Sequence, residues 1–523
     1  MAPASEPPAG APPAALTAAV ELVGIDKRFG AVHANRQVSL RIERGSIHGI
    51  VGENGAGKST LMSILYGYYQ ADAGEIRIDG RPVAIRSAQD AIAAGIGMVH
   101  QHFMLVDDFT VLENVVLGAE RGPLLARGLA EARRALAALG RDYGLAVDPD
   151  ALVRDLPVGL QQRVEILKAL HRGARVLILD EPTGVLTPQE ADQLFAMLRT
   201  LRDQGRTVIL ITHKLREIMA VTDRVTVMRA GGLVETVATR DTSRAALAEA
   251  MVGRKVALQL EKAAVAPGPA VLEVERLSIV DAAGIERVQE VSFAVRGGEI
   301  VGIAGVTGNG QTELLEALAG MRRPTGGTIR LNGRTLPPAQ GSAGARAMRR
   351  RHVAHVPEDR QRQGLIGRFL AWESMILGYH DTPEAGRHGL LDRPGLIARC
   401  AAAMEAHDVR PRDPLLRTAA FSGGNQQKMV LAREIDRAPE LLLVGQPTRG
   451  VDIGAIEFIH RRLLALRAAG KALLLVSVEL EEILALADRI LVMCQGRIVG
   501  ELPRAEASEA RLGLMMAGIE GTA

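Results

Sequence analysis

The feature that most constrains this chain is an internal duplication. Residues 52–67 read GENGAGKSTLMSILYG and residues 305–320 read GVTGNGQTELLEALAG, so that position 58 pairs with position 311 at an offset of 253. Three later segments pair positions 159, 180 and 213 with positions 424, 445 and 478, each at an offset of 265. Chance similarity would not hold one offset over three separate segments. The sequence therefore predicts two copies of one domain in tandem.

The copies account for most of the 523 residues, a length too great for one ordinary core. We place them at residues 20–253 and 271–517, joined by an Ala/Pro/Gly-rich linker at 254–270 and preceded by a disordered Pro/Ala-rich tail at 1–19. Within each copy, short runs of Val, Ile and Leu alternate with longer Ala/Leu/Arg-rich stretches at helical spacing. This pattern predicts an α/β fold with a mainly parallel sheet flanked by helices in each copy.

Composition excludes several classes of protein. Lys and Arg number 63 against 60 Asp and Glu, and so close a balance argues against a dedicated nucleic-acid binder. Two cysteines, Cys400 and Cys494, are too few for a disulfide framework or a cysteine-based zinc cluster. No apolar run approaches the roughly 18–20 residues that cross a bilayer, and the N-terminus lacks the pattern of a secretory signal. We therefore expect a soluble cytoplasmic protein.

A phosphate-binding motif opens the first copy. Residues 52–60, which we call the phosphate loop, fit the pattern G-x-x-x-x-G-K-[ST] between an apolar run and a helical stretch. Its glycines allow backbone N–H groups to wrap a β-phosphate, Lys58 places a charge between the β- and γ-phosphates, and the Ser59 hydroxyl can bind Mg²⁺. The sequence thus predicts ATP and Mg²⁺ as ligands, with nucleotide contacts from Gly52, Glu53, Asn54, Gly55, Ala56, Gly57, Lys58, Ser59 and Thr60.

An acidic pair follows a second apolar run. Residues 176–179 are all Val, Leu or Ile and lead into Asp180 and Glu181. A buried strand would carry both carboxylates to the carboxyl edge of the sheet, where nucleotides bind. Asp180 suits the binding of Mg²⁺, and Glu181 suits a catalytic role in polarising the attacking water. An acidic pair in isolation is as often a solvated turn, and the phosphate loop upstream favours the catalytic interpretation.

Three further residues of the first copy are candidates for the same site. His213 follows the apolar run at 208–211 and is predicted to donate to the γ-phosphate as a catalytic residue. Gln101, in MVHQHF, is predicted to contact Mg²⁺ and the attacking water. Phe29, upstream of the loop, is predicted to stack on adenine, with a place in the core as the alternative.

The second copy carries a different anion-binding motif, FSGGNQQ at residues 421–427, which we call the signature motif. Two consecutive glycines open a predicted helix, so that free N–H groups and the helix dipole point at an anion, and a serine hydroxyl adds a donor. The predicted nucleotide contacts here are Ser422, Gly423, Gly424 and Gln426.

The order of these motifs, across nearly the whole chain outside the tail and linker, resembles the ATP-binding-cassette family. The chain is most similar to ATPases with two fused nucleotide-binding domains that serve bacterial nucleoside and simple-sugar importers. The resemblance implies a helical subdomain carrying the signature motif, and an intramolecular head-to-tail pairing that places each ATP between the phosphate loop of one domain and the signature of the other. It also implies two transmembrane permease subunits, a substrate-binding protein, and a peripheral position on the cytoplasmic face of the inner membrane.

The two copies differ where the chemistry would occur. In the second copy, the positions of Lys58, Asp180, Glu181, His213 and Gln101 hold Gln311, Gly445, Gln446, Val478 and Glu358. The first copy's signature is altered to LPVGLQQ at 156–162, with Pro157 in place of the serine. Under head-to-tail pairing every loss falls on one site, which predicts one competent and one degenerate ATP site.

Sequence alone leaves the transported solute and the protein class open at several points. SAQDAIAAGIGMVHQHFMLV and QPTRGVDIGAIEFIH favour the nucleoside branch, with ribose or galactose import as the alternative. A translation factor acting on ribosomes usually keeps two competent sites and a long charged linker, and this sequence has neither. A repair-type cassette ATPase carries cysteine-rich zinc modules, which two cysteines exclude. The apolar segments 103–118 and 364–378 correspond to the family's permease-docking region, with helical core as the alternative.

Overall fold

Two matched sets of strands and helices follow one another along the chain. The computed structural model describes residues 18–30, 32–100, 103–119, 125–183, 186, 188–255, 260–306, 308–337, 341–388 and 390–519. It divides into a first unit, Met1–Arg254, and a second unit, Lys255–Ala523.

The strands of the first unit are β1 (Ala18–Phe29), β2 (Val32–Glu43), β3 (Ile47–Val51), β4 (Ala73–Ile78), β5 (Arg81–Pro82), β6 (Ile96–Val99), β7 (Val176–Asp180), β8 (Thr207–Ile211), β9 (Arg224–Arg229) and β10 (Gly232–Ala238). Its helices are α1 (Lys58–Leu65), α2 (Ala88–Ala93), α3 (Val111–Val116), α4 (Leu125–Tyr143), α5 (Val158–His171), α6 (Pro188–Asp203), α7 (Leu215–Val221) and α8 (Arg244–Val252).

The strands of the second unit are β11 (Ala270–Val280), β12 (Glu286–Arg296), β13 (Ile300–Ala304), β14 (Gly326–Leu331), β15 (Arg334–Thr335), β16 (Val353–Val356), β17 (Gly386–Arg387), β18 (Leu390–Leu391), β19 (Leu441–Gly445), β20 (Ala472–Ser477), β21 (Arg489–Cys494) and β22 (Arg497–Pro503). Its helices are α9 (Gln311–Leu318), α10 (Gly341–Arg349), α11 (Ala371–Met375), α12 (Arg393–Ala406), α13 (Gly423–Ile435), α14 (Ile453–Ala468), α15 (Leu480–Leu486) and α16 (Glu509–Met516).

Both units share one sheet topology. Over the described residues, the central sheet of the first unit has the order β6-β7-β8-β3-β9-β10, and that of the second has the order β16-β19-β20-β13-β21-β22. All neighbours in each are parallel except the last pair. Each unit adds an antiparallel sheet, β2-β1-β4-β5 or β12-β11-β14-β15. The predicted duplication and α/β class are thus confirmed, and the antiparallel sheets are a feature that the sequence pattern did not indicate.

Burial explains the two kinds of strand. The strands β3, β8, β19 and β20 are buried at every position, as expected for parallel strands covered on both faces. By contrast, β2 alternates from Val38 to Ile42, where every second side chain enters the core. One cluster of buried side chains in the first unit contains the inward residues of the antiparallel sheet together with Leu61 and Leu65 of α1. The same cluster includes Ile50 and Ile178 of the central sheet. Helix α1 therefore lies between the two sheets.

Helices α3 and α4 pack against α5 in the first unit, and α11 and α12 pack against α13 in the second. In the second unit this group has its own core, which includes Trp372, Cys400, Phe421 and Met429. These groups are the predicted helical subdomains, and α13 begins within the signature motif. Among the described residues, no helix combines the length and the apolar character that a membrane span requires.

The predicted tail and linker differ slightly from the structure. Strand β1 begins at Ala18, so residues 18 and 19 belong to the first strand, where Ala18 pairs with Glu43 and both alanines are buried. Strand β11 likewise begins at Ala270, the last residue of the predicted linker. Residues 1–17 and 256–259 lie outside the described residues.

One buried histidine makes the stability of the first unit depend on pH. His48 lies in β3 with none of its surface exposed, and its Nε2 atom is 2.7 Å from Thr226 Oγ1. Burial, assisted by the charge of Arg224, lowers the pKa of His48 from 6.5 to about 4. The folded state therefore holds this imidazole neutral at pH values where the unfolded chain protonates it.

We expect the first unit to lose stability in acid for this reason. As the pH falls below the unfolded pKa of 6.5, the unfolded state binds a proton that the folded state does not bind until about pH 4. Linkage gives a loss of about 2 kcal/mol between pH 7 and pH 5. The variant His48→Gln keeps a polar group for Thr226, and its free energy of unfolding should fall less between pH 7 and pH 5. Urea unfolding followed by circular dichroism measures this difference. An equally steep loss in this variant would assign the acid sensitivity to other groups.

Candidate functional site

Three buried strands of the first unit end at one edge of the central sheet. Strand β8 lies between β3 and β7, and all three are parallel. The carboxyl ends of parallel strands meet at the same edge, where α/β proteins bind ligands. The phosphate loop follows β3, Asp180 ends β7, and His213 follows β8. The sheet therefore gathers residues that are far apart in the sequence.

The phosphate loop turns from β3 into α1 through glycines with positive φ. Gly57, the residue before the helix, has φ 95°, and a Cβ there would lie 2.2 Å from the Ala34 carbonyl oxygen. The buried Asn35 side chain donates from Nδ2 to the Gly57 carbonyl at 3.1 Å. This turn leaves the first amides of α1 without intrahelical acceptors, which suits them to bind phosphate.

Lys58 is held inside the loop by main-chain oxygens. Its Nζ atom donates to Gly52 O at 2.7 Å and to Glu53 O at 3.1 Å, and the side chain is 5% exposed. An ammonium group carries three protons, so these two bonds leave one for an anionic ligand. Burial lowers the pKa of Lys58, and the carboxylates of Glu181, Asp180 and Glu53 oppose that effect.

Asp180 lies beside the loop and accepts a hydrogen bond from the Ser59 hydroxyl. Burial, together with the charge of Glu181, raises the pKa of Asp180, while Ser59 and Lys58 oppose the increase. Hydroxyl and carboxylate oxygens are the ligands that Mg²⁺ prefers, usually alongside substrate phosphates and water. The pair formed by Ser59 and Asp180 therefore fits the predicted magnesium ion.

Glu181 and His213 form a second pair at this edge. His213 Nδ1 lies 2.8 Å from Glu181 Oε1, and both side chains are largely buried. Glu181 has φ 47°, in the left-handed region, and its amide donates to Ile211 O of β8 at 2.8 Å. Burial alone would raise the pKa of Glu181, but the hydrogen bond and charge of His213, then Lys58 and Lys214, outweigh it and lower the pKa. The carboxylate is thus ionised and oriented, as a group that accepts a proton from water must be.

Of the two remaining candidates in the first unit, one is described by the structure. Phe29 is 41% exposed at the end of β1 and meets the Tyr69 ring edge to face, with centroids 5.1 Å apart. Lys27 Nζ lies 5.4 Å from the same ring. Phe29 is therefore a partly exposed surface aromatic and not a core residue. Gln101 lies outside the described residues.

The signature motif forms the start of α13 in the second unit. Ser422 caps the helix by accepting hydrogen bonds from the Asn425 amide at 3.4 Å and from Asn425 Nδ2 at 2.8 Å. Its hydroxyl proton is therefore still able to donate. A Cβ at Gly423 would lie 2.5 Å from an Arg360 side-chain nitrogen, and one at Gly424 would lie 3.0 Å from Asp452 Oδ2. The two glycines therefore allow Arg360 and Asp452 to approach the start of this helix closely.

Gln426 is placed differently from the prediction. Its side chain is 8% exposed, and Nε2 donates to the Thr418 and Phe421 carbonyls at 3.2 and 3.1 Å. The first unit repeats this arrangement with Gln161, which donates to the Val153 and Leu156 carbonyls. Because the amide fastens the helix to the preceding turn, we assign Gln426 a structural role in place of direct nucleotide contact.

Comparison with known proteins identifies the family. The sequence profile of the ABC transporter family matches residues 35–184 and 288–449, one match in each unit. The chain belongs to the ABC transporter family. It is 46% identical to the nucleoside import ATP-binding protein NupA of Lactococcus lactis subsp. cremoris over 95% of this chain and 98% of the relative. It is also 46% identical to the guanosine import ATP-binding protein NupO of Bacillus subtilis (95% and 97% covered) and to the glucose import ATP-binding protein TsgD13 of Haloferax volcanii (95% and 96% covered).

The second cassette keeps the shape of the first while its chemistry differs. Gln446 has φ 47°, the same value as Glu181, and its amide donates to Val476 O at 2.8 Å. Its side-chain Oε1 accepts from the Val478 amide at 3.3 Å, where the first cassette places His213. A neutral amide has replaced a carboxylate, and an alkyl side chain has replaced an imidazole. The second cassette therefore lacks the pair that would activate water.

The loop of the second cassette has also lost its charge. Gln311 Nε2 donates to Val306 O at 3.1 Å, the position of the Glu53 carbonyl in the first cassette. Lys58 and Gln311 are equally buried, at 5% exposed. The amide thus fills the space of the lysine and keeps one of its carbonyl bonds without supplying a cation to phosphate.

The altered signature of the first cassette still starts a helix. Helix α5 begins after Pro157, a residue that makes no side-chain cap, whereas Ser422 caps α13. Proline is well tolerated at a helix start, but it offers neither a hydroxyl nor an N–H to an anion. The fold therefore persists here without the phosphate donors.

Asn35 is a site residue that the sequence did not indicate. It supports the phosphate loop through its bond to Gly57 O, and the matching position of the second cassette, 253 residues later, is the buried Val288. The signal was a fully buried asparagine among inward-facing residues of β2, where an apolar side chain is expected. The substitution by Val288 is one more loss confined to the second loop.

We expect Glu181 and Gln446, the residue at the matching position of the second cassette, to respond differently to substitution. Glu181→Gln removes the carboxylate but keeps a hydrogen-bonding group near His213, so ATP should bind and hydrolysis should fall by about 10²–10³-fold or more. Gln446→Ala should leave turnover near that of the unaltered chain, because the neutral Gln446 amide cannot accept a proton from water. Phosphate release and chromatographic assay of bound nucleotide measure the two effects. Loss of ATPase activity in the Gln446 variant would contradict the assignment.

Proposed function

We propose that this chain is the ATP-hydrolysing subunit of an importer, with one competent ATP site assembled from parts of both units. The observation that carries the proposal is the distribution of intact groups. The first unit holds Lys58, the Ser59–Asp180 pair and the Glu181–His213 pair, whereas the second holds the capped signature motif. Each unit lacks what the other retains. Random loss would be expected to damage both sites, so this distribution supports head-to-tail pairing of the units.

In the competent site, the side chains of the first unit have distinct roles. Lys58 neutralises phosphate charge, and Glu181, oriented by His213, accepts a proton from the attacking water. Ser59 and Asp180 would hold Mg²⁺, which when bound neutralises charge on the β- and γ-phosphate oxygens. Gln101 is proposed to position the same water, and Phe29 to stack on the adenine.

The signature motif completes this site from the second unit. The free amides at the start of α13 and the Ser422 hydroxyl would bind the γ-phosphate. Because the amides are oriented by the helix and the Ser422 side chain is held by its bonds to Asn425, closing of the site would need little further ordering. The reverse combination, the loop with Gln311 and the helix start at Pro157, would hydrolyse little.

Coupling to transport requires a surface that contacts membrane subunits. In the first unit, the segment 103–118 leaves Met104, Phe109 and Leu117 exposed at 59%, 38% and 39%. In the second unit, Trp372 is 6% exposed in the core of the helical subdomain. We therefore assign docking of a permease to the exposed segment of the first unit, and a structural role to Trp372. Two permease subunits, a substrate-binding protein and a peripheral place at the inner membrane complete the proposed assembly.

The proposed solute is a nucleoside. Two of the relatives are named for nucleoside or guanosine import, which agrees with the sequence segments that favour the nucleoside branch. A simple sugar is the second candidate, because the relative named for glucose import is equally identical to this chain. Both candidates leave the ATPase mechanism unchanged, since the solute contacts other subunits.

Uptake assays separate the two solutes. Cells that lack this chain should lose uptake of radiolabelled guanosine and regain it with the intact gene but not with the Glu181→Gln variant. Uptake of ribose and glucose in the same cells should be unaffected. Loss of sugar uptake with normal nucleoside uptake would instead establish the sugar importer. Co-purification with ribosomes, and not with permeases, would refute both.

The composite site predicts unequal effects at the two signature glycines. A Cβ at Gly159 would meet Glu190 Oε1 at 2.6 Å, and one at Gly424 would meet Asp452 Oδ2 at 3.0 Å, so either helix start can accept a side chain by moving one carboxylate. We expect Gly424→Leu to abolish hydrolysis, because a large side chain beside Asp452 would displace the helix start and its amides in the competent site, and Gly159→Leu to be milder. Steady-state ATPase assays on the full chain measure both, and equal losses would indicate two equivalent sites.

A further inference from the structure

A guanidinium group lies beside the signature motif of the second unit. Arg360 opens a helical turn after β16, and its Nη2 atom is 2.5 Å from the place that a Cβ at Gly423 would take. Its Nη1 atom donates to Arg449 O at 2.7 Å, and Nη2 makes a long bond to Gly450 O at 3.5 Å. A side chain at position 423 would prevent this approach, so the glycine and the arginine belong to one arrangement.

Arg360 has donor capacity left on the side of the helix start. A guanidinium group carries five N–H donors, and these two bonds use two of them. Its Nε atom is buried and has no hydrogen-bond partner among the residues that the structure describes. Burial lowers the pKa of Arg360; the charge of Asp359 opposes this, and the charge of Arg449 adds to it. An anion beside the guanidinium would supply both acceptors and a compensating charge.

The start of α13 supplies further donors at the same place. Gly423 and Gly424 are the first two residues of the helix, so their amides have no intrahelical acceptor. The Ser422 hydroxyl, just before them, keeps a proton to donate. Asp452 also approaches Gly424, but its Oδ1 atom accepts from the Ala455 amide at 2.7 Å and caps α14. The donors available to an anion here are therefore two amides, a hydroxyl and the guanidinium.

The altered signature of the first unit has the opposite charge at its helix start. A Cβ at Gly159 would lie 2.6 Å from Glu190 Oε1, so a carboxylate of α6 lies beside the start of α5. The offset of 265 residues that relates the two signatures places Ala455 at the position of Glu190. Ala455 Cβ is 3.5 Å from the Cβ position of Gly424. A methyl group thus stands in the second unit where the first has a carboxylate.

The cation also belongs to the second unit. An offset of 257 residues relates Gln101 to Glu358 and places Phe103 at the position of Arg360. At the start of α5, Glu190 itself takes the place where the helix dipole favours an anion. At the start of α13, a cation is added and that carboxylate is missing. Both differences favour phosphate binding at the signature motif of the second unit.

We propose that Arg360 is a further phosphate-binding residue of the competent ATP site, where its charge stabilises the γ-phosphate during attack by water. The proposal rests on the proposed pairing of the phosphate loop with the signature motif, and it adds a cation from the second unit to that site. An arginine beside a transferring phosphoryl group neutralises charge on the phosphoryl oxygens. The bond to Arg449 O holds the guanidinium beside the helix start before nucleotide binds.

Steady-state ATPase assays on the full chain test the role of this charge. Arg360→Gln keeps an amide N–H donor for Arg449 O but removes the charge, and we expect kcat to fall about 10²–10³-fold. Arg360→Lys keeps the charge without the planar group, and its kcat should fall only about 10-fold. As a control, Arg362→Gln removes an exposed charge from the same helical turn and should leave kcat unchanged.

Nucleotide binding separates a phosphate contact from a structural role. In the Glu181→Gln background, where ATP should bind without being hydrolysed, adding Arg360→Gln should weaken ATP about 10–100-fold, as expected for the loss of a hydrogen bond to a charged group. ADP lacks the γ-phosphate, so its affinity should not change. Equilibrium titration with fluorescent ATP and ADP measures both affinities.

The outcomes distinguish this proposal from the proposed function. Unchanged kcat in Arg360→Gln, or equal losses in the Gln and Lys variants, would overturn the inference and leave the ATPase proposal intact. Equal weakening of ATP and ADP would also overturn it, because a γ-phosphate contact cannot affect ADP. An unaltered chain that neither binds nor hydrolyses ATP would refute the ATPase proposal itself.

Discussion

A main-chain turn that admits no side chain sets the geometry of the loop before α1 and of the matching loop before α9. At Gly57 and Gly310 the backbone is left-handed, and the neighbouring strand lies too close for a Cβ. The turn aims the first amides of a helix at one point and fixes where the next residues, Lys58 or Gln311, can reach. Because the turn is held by its close approach to the backbone of β2 or β12 in the antiparallel sheet, it is present in both cassettes although the side chains that follow it differ. The side chains could therefore diverge without loss of the fold.

The second cassette illustrates how chemistry and fold separate. Gln446 keeps the positive φ of Glu181, and its amide keeps the bond to the adjacent strand. This backbone conformation is unfavourable for a residue with a side chain, and it is maintained by the sheet edge and not by the reaction. In the same way, α5 forms after Pro157 although the phosphate donors are gone. A conserved shape at these positions is thus no evidence of activity, and only the identity of the side chain decides it.

These differences give the proposed importer subunit an unequal division of labour. One site would turn over ATP, and the other, with Gln311, Gln446 and Val478 in place of Lys58, Glu181 and His213, would hydrolyse little. The membrane subunits would then receive force through the exposed apolar segment that includes Met104 and Phe109.

The sequence by itself determined the α/β class, the phosphate loop and the acidic pair, because each depends on neighbours within a few positions of the chain. It also determined the duplication, because matching segments recur at a nearly constant offset. It also indicated which copy had lost its charges. Only the tertiary structure decided the contacts between distant segments: that Asn35 supports Gly57, that Gln426 turns inward, and that Glu358 fills the space above Gly445. The physical reason is that the partner of a side chain is set by strand order and by the packing of helices and turns, and not by the short-range pattern of the sequence.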